Sequence, residues 1–313
     1  MSDRRLRLRD DGTLTIVQFT DLHWNNGDAK DMRTRALMER VLEAERPDFV
    51  VFTGDVIDSL RCRDPERSFV DAVSAAAESG APWAAIFGNH DSEGNVTRET
   101  LMRAQMALPG CMASPGPAGV EGVGNFMLPI EDAGGKLASA LYFFDSGSYS
   151  ERADIPGYAW VRDRQIAWFR EEASALRSLN GGEALPSLAF LHVPLPEYRD
   201  VWNTRVCHGH RYERVGCAPV NSGLYAAMLE AGGVEGVFCG HDHMNDYDGE
   251  LFGIRLCYGR ASGYSGYGRW FYPRGARVIR LRKGKPFDAW LRLADGRKVA
   301  KARKHWPTWY SRT

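Results

Sequence analysis

The sequence carries no net charge, no hydrophobic run long enough to cross a membrane and no C-x-x-C pair, and each absence removes a class of function. Its 313 residues hold 40 Lys+Arg against 40 Asp+Glu, so wholesale electrostatic capture by nucleic acid or an anionic membrane is not expected. No stretch approaches about 18 uninterrupted apolar residues. The start, MSDRRLRLRDDGTLTIV, turns acidic where a secretory signal would become apolar, and a cytoplasmic protein is the expectation. The six cysteines (Cys62, Cys111, Cys207, Cys217, Cys239, Cys257) show no zinc-knuckle or thioredoxin-like spacing. Most read as small apolar fillers; Cys207 and Cys217 alone share a polar loop. Internal repeats are lacking too. What remains is an ordinary globular composition, 44% apolar and 26% charged, in a chain long enough to bury a sizeable core without staples.

Short β-branched or aromatic runs alternate with longer segments of helical period, which is the mark of an α/β fold. Strands are expected at 13–20, 49–53, 83–87, 125–130, 140–144, 187–191 and 236–239, and a mainly β C-terminus at 252–258, 276–281 and 287–293. Helices are expected at 30–45, from Pro65 to about Gly80, at 164–179, and from a cap at Asn221 or Ser222 through Glu230. Residues 109–124 read as a loop by their Pro and Gly content, and a long polar loop runs from about His192 to Pro219.

Five polar motifs stand directly after five of these strands: Asp21-Leu22-His23, Gly54-Asp55-Val56-Ile57-Asp58, Gly88-Asn89-His90-Asp91, Leu191-His192 and Gly240-His241-Asp242-His243. The carboxyl ends of strands are where ligand sites gather in α/β proteins. Carboxylate oxygen, imidazole nitrogen and amide oxygen suit two hard-to-borderline cations such as Mn, Fe, Zn or Co, and no thiolate sits in any motif. Two cations bridged by hydroxide would activate water and clamp an in-line displacement at phosphorus. With two carboxylates the site would carry roughly +1 and attract a phosphoryl anion. The bland alternative is that these residues are turns and helix caps.

The set resembles the calcineurin-like metallophosphoesterase superfamily, whose pattern is D-x-H, G-D, G-N-H-[DE], H and G-H-x-H in that order. The resemblance implies that Asp21, His23 and His243 hold one metal, that Asn89, His192 and His241 hold the other, and that Asp55 bridges them. It places His90 over the leaving-group oxygen as general acid, with Asp91 able to orient or charge it. Asp58 and His23 stand where purple acid phosphatases have Tyr and Gly, and Ser59 stands where protein Ser/Thr phosphatases have Arg. The segments HVPLPEY, CAPVNSGLYAAMLE, GHDHMNDY and YGRASGYSGYG look like the non-purple, single-domain relatives of purple acid phosphatases. The fold implied is a four-layer α-β-β-α metallophosphoesterase sandwich in one domain over residues 1–313, with a basic β-rich extension at about 275–313.

The function this implies is phosphate ester hydrolysis by a metal-bound hydroxide, using two divalent or mixed-valence ions (Mn, Fe or Zn), with a small-molecule or protein phosphomonoester favoured. A phosphodiesterase for cyclic nucleotides or other diesters is the first alternative, and a non-catalytic metal-binding scaffold is the second. His208 and His210, in the loop between the last two motifs, are candidate substrate contacts, as are Tyr264 and Tyr267 in the Gly- and Tyr-rich segment after Arg260. Asp58 reads either as a carboxylate orienting a ligand histidine or as a cap. The basic C-terminal run reads as a solvated face and tail rather than a nucleic-acid or membrane surface, and Trp306, Trp309 and Tyr310 suggest that the tail packs.

Overall fold

A computed structural model describes residues 5–307. Trp309, Tyr310 and the first four residues lie outside the described residues. The long strands are where the β-branched and aromatic runs placed them, and they build two sheets. The six-stranded sheet has the order Lys298–Val299, Lys285–Leu293, Gly275–Arg282, Thr13–Phe19, Phe49–Thr53, Trp83–Ile86. Its last three strands are parallel and are linked by the helices Ala29–Glu45 and Pro65–Glu78. The nine-stranded sheet runs Leu6–Arg7, Phe126–Glu131, Leu137–Phe143, Ser187–Phe190, Val234–Cys239, Ile254–Tyr258, Asp248–Leu251, Cys207–His208, Lys304–His305. Helices flank the pair, including Asp163–Leu179 and Leu224–Ala231.

Local chemistry explains the first two helices. Asp28 accepts the amides of Lys30 and Asp31, while Asp31 returns the contact to the cap backbone, and Arg46 in the left-handed region ends that helix before Pro47. Asp64 accepts the Arg67 amide and Pro65 opens the second.

Aromatic rings join the sheets. Phe126, Phe143, Phe190 and Phe238 are successive cross-strand partners, stacked at 4.3, 5.3 and 5.4 Å. From the other sheet, Phe49 meets Phe143 and Phe287 meets Phe238. This ladder is the inner core. Phe190→Leu, which removes ring contacts on both sides without introducing polarity, is expected to cost about 1–2 kcal/mol. A lower urea midpoint with an unchanged m-value would show it.

Several expectations need correction. The C-terminal strands are not an appendage, because Gly275–Arg282 pairs antiparallel with Thr13–Phe19 in the middle of its sheet. The strand expected at 252–258 is a hairpin: Leu251 pairs with Ile254 across Phe252 and Gly253, both at positive φ, the geometry of a type I′ turn. The helix expected to be capped by Asn221 or Ser222 has Gly223 at its cap. Helices Arg98–Met106 and Glu197–Thr204 are short and bury few residues, so they leave little periodicity to read. Cys207 is buried, Cys217 is half-buried, and both are free thiols. Among the described residues no helix is long and apolar enough to cross a membrane.

Candidate metal centre

Both sheets present strand ends to one place. Asp21 and His23 follow Thr13–Phe19, Asp55 follows Phe49–Thr53 and Asn89 follows Trp83–Ile86, all from the six-stranded sheet. His192 follows Ser187–Phe190, and His241 and His243 follow Val234–Cys239, from the nine-stranded one. All seven are buried. Six non-glycine residues among those described have positive φ, and four of them are Asp21, His23, Asp55 and His241. Such backbone is costly and persists where surrounding contacts over-determine it. Gly54 allows the close approach, since a Cβ there would lie 2.5 Å from His192 Nδ1 and 2.7 Å from the Gly88 amide nitrogen.

Backbone carbonyls set two imidazole tautomers. His192 Nδ1 lies 2.8 Å from the Thr53 carbonyl and His243 Nδ1 lies 3.0 Å from that of Tyr267. A carbonyl only accepts, so each Nδ1 carries a proton, and in the neutral ring the lone pair left for a cation is the one on Nε2. These lone pairs converge. His192 Nε2 is 3.2 Å from Asp55 Oδ2 and 3.2 Å from His241 Nδ1. His243 Nε2 is 3.0 Å from His23 Nε2 and 3.6 Å from Asp21 Oδ1. Donor atoms of Asp21, His23, Asp55 and His243 lie within 4.8 Å of one another, as do those of Asp55, His192 and His241. Asp55 belongs to both groups. Asn89 donates through Nδ2 to Tyr149 Oη at 3.0 Å, and its buried Oδ1 has no hydrogen-bond partner.

The electrostatics call for positive charge at this spot. Burial pushes the Asp21 carboxyl up. For Asp55 burial works in the same direction, yet the facing His192 outweighs it and holds the carboxyl well below the usual range. Burial opposes charge on His192 too, and Asp55 raises it to about 9. Burial lowers His23 to about 4 and His241 to about 3, favouring the neutral, ligating form. Converging lone pairs, two buried carboxylates and an unsatisfied amide oxygen fit a pair of cations with oxygen and nitrogen preference.

His90 stands at the edge of this cluster, its ring edge-on to His23 at 5.0 Å. Its amide donates to Asp55 Oδ1 at 2.9 Å, and its Nδ1 lies 2.6 Å from Glu93 Oε2. Burial opposes its charge, but Asp55 and then Glu93 outweigh that and raise its pKa. Asp91 does not serve His90. Its carboxylate is fully buried and accepts the amides of Ile57 at 2.9 Å and Gly88 at 2.7 Å, tying two of the motif loops together.

Residues 14–245 match the family described as calcineurin-like phosphoesterase. The chain belongs to that family. It is 36% identical over 93% of its length to "Probable inactive purple acid phosphatase 29" of Arabidopsis thaliana, covering 85% of that protein. It is 33% identical over 82% of its length to "Phosphatase DCR2" of Saccharomyces cerevisiae, where it covers 49%. In fold it is similar to a dimetal phosphatase from Danio rerio, with a TM-score of 0.60 at 12% identity over 93% of this chain and 98% of that one. The two helix-flanked sheets are the arrangement expected of the calcineurin-like family.

The remaining candidates divide. Tyr267 lies at the donor cluster: its ring stacks on His243 at 4.0 Å and its hydroxyl meets Glu213 Oε2 at 2.9 Å. Tyr264 packs against the first helix instead, with Arg33 over its ring and its amide donating to Thr34 Oγ1. His208 is an exposed residue in an edge region of the nine-stranded sheet, paired with Asp248 and Lys304. His210 faces Asp246 and stacks on Tyr212. The contacts of these two do not include the seven clustered donors. Asp58 pairs with Arg61 at 3.2 Å. Sequence reasoning missed Glu93, Tyr149 and Tyr158, whose ring meets His241 edge-on at 4.3 Å. Glu93 was legible as a carboxylate one helical turn after His90; the two tyrosines lie in irregular chain with no periodic signal.

Proposed function

We propose that this chain is a dinuclear-metal phosphoesterase that hydrolyses phosphate monoesters of a small molecule or a protein, with two ions of Mn, Fe or Zn. The observation that carries the reading is the pair of donor groups sharing Asp55, with His90 at their edge. Asp21, His23, His243 and Asp55 would hold one ion, and Asn89, His192, His241 and Asp55 the other. Bound there, such ions lower the pKa of water and neutralise phosphoryl oxygens. The chain supplies the rest. Thr53 and Tyr267 hold two imidazoles in the ligating tautomer, the buried loops exclude solvent, and His90 Nε2 is left facing away from its Glu93 contact. As a water oxygen forms the new bond to phosphorus, the ester P–O bond breaks and the His90 proton passes to the departing alkoxide. The name "Phosphatase DCR2" of one relative supports the monoester; the purple acid phosphatase relative is named probable inactive, which is the observation on the side of the scaffold. A cytoplasmic setting goes with the reading, in keeping with free thiols at all six cysteines.

The test is hydrolysis of para-nitrophenyl phosphate beside bis-para-nitrophenyl phosphate, on protein with quantified Mn, Zn or Fe. Faster monoester turnover is expected. Faster diester turnover would replace the monoesterase by a diesterase, and silence on both with every metal would leave a scaffold. His90→Ala should keep both metals and slow phenyl phosphate by about 10²-fold or more, while para-nitrophenyl phosphate, which needs little protonation, changes far less. Equal slowing of the two esters would remove His90 as the acid.

A further inference from the structure

We propose that Glu93 is the positioning residue of His90 in this site, with Tyr149 as the partner of its other carboxylate oxygen. The proposal rests on the phosphoesterase reading above. Glu93 lies three residues after His90 across a single 3₁₀ turn, His90–Ser92, and its side chain is only 15% exposed. One carboxylate oxygen is 2.6 Å from His90 Nδ1 and the other is 2.6 Å from Tyr149 Oη. An ionised carboxylate only accepts, so the imidazole presents Nδ1–H to Glu93 and the phenol donates its proton there as well. Tyr149 Oη is then free to accept from Asn89 Nδ2 at 3.0 Å.

The carboxylate is itself held. Ser59 Oγ accepts the amides of Glu93 at 2.9 Å and Gly94 at 3.1 Å while donating to the His90 carbonyl at 2.6 Å. Ser59 thus clamps the turn at both ends, so Glu93 and His90 cannot drift apart without breaking backbone hydrogen bonds. An ordinary surface carboxylate would have neither a fixed backbone nor two functional partners. Asp91, the nearer acid in sequence, is committed to the amides of Ile57 and Gly88. In the step proposed above, His90 gives its Nε2 proton to the leaving oxygen and keeps Nδ1–H on Glu93, so the ring ends neutral without turning. Orientation by a carboxylate of this kind is worth roughly 10–100-fold when the partner is removed.

The experiment compares wild type, Glu93→Ala, Glu93→Gln, His90→Ala and the Glu93→Ala/His90→Ala double variant, zinc-loaded and with metal content measured. Turnover of phenyl phosphate and para-nitrophenyl phosphate is read beside the imidazole N–H resonances in ¹H–¹⁵N spectra. Beside the Nδ1–H signals of His192 and His243 on their carbonyls, the wild type should show a further downfield Nδ1–H signal that vanishes in both His90→Ala and Glu93→Ala. Glu93→Ala should slow phenyl phosphate about 10–100-fold with little change for para-nitrophenyl phosphate. Glu93→Gln, which still offers an oxygen to Nδ1–H, should recover most of that loss. The double variant should be no slower than His90→Ala alone. A His90 resonance that survives Glu93→Ala, or losses that add in the double variant, would overturn the positioning role. If the resonance behaves as expected but His90→Ala slows both esters equally, positioning stands and the acid role of His90 is what fails.

Discussion

Asp55→Asn is expected to lower kcat by on the order of 10³-fold and to reduce bound metal below two ions per chain. The size follows from the place of Asp55 in both donor groups: no other described side chain serves both, so one substitution weakens both ions. An asparagine keeps the shape and can still accept the His90 amide, which donates to Asp55 Oδ1 at 2.9 Å, so the loop has no reason to unfold. Stability should separate the two effects. The metal-free variant should melt below the metal-free parent, because the fully buried Asp55 carboxylate faces His192 Nε2 at 3.2 Å and that pairing is lost. Added Mn should raise the melting temperature of the parent, since a ligand at 100 times its Kd contributes about 2.7 kcal/mol, and should raise that of the variant much less. An Asp55→Asn protein that retains both metals and near-parental turnover would remove the bridging role.

The second large effect concerns what holds the site's rim. Arg98 contacts Asp145 and donates to the carbonyls of Gly88 at 2.8 Å and Gly147 at 3.1 Å. Asp145 also accepts the amides of Val123 at 2.7 Å and Gly147 at 2.8 Å. Both side chains are largely buried, so the pair ties the loop carrying Asn89 and His90 to the loop carrying Tyr149. Arg98→Met leaves the Asp145 charge buried without its cation, and a cost of about 3–5 kcal/mol is expected in urea denaturation. Adding Asp145→Asn should recover part of it, because the uncompensated charge is then gone. A single-variant loss below about 1 kcal/mol would mean that solvent reaches Asp145 and that the rim is held by backbone alone.

Much of the centre was legible because metal donors are local words in the chain. Asp21 and His23, Asn89 and His90, and His241 and His243 sit within a few residues of a strand end, and a strand of β-branched and aromatic residues announces its own limits. Asp91 shows where that legibility stops. Adjacency to His90 suggested a partner, but in a 3₁₀ turn the neighbouring side chain points to the backbone of its own loop and of the loop after Asp55, and the residue one turn on, Glu93, reaches the ring instead. Phe252 and Gly253 show it again: a bulky aromatic at positive φ gives no turn signal, yet it splits one expected strand into a hairpin.

The sequence by itself determined the α/β alternation, the capped helices after Asp28 and Asp64, the strand-end positions of the seven donors and their preference for oxygen- and nitrogen-loving cations. Each of these depends on residues a few positions apart. Only the tertiary structure decided that five strands from two different sheets end at one point, that Asp55 faces both His23 and His192, and that the carbonyls of Thr53 and Tyr267 choose the tautomers. The physical reason is separation along the chain: His23 and His243 are 220 residues apart and meet at 3.0 Å. Their meeting is set by the packing of two aromatic sheet faces, an interaction among residues that bind nothing and carry no motif.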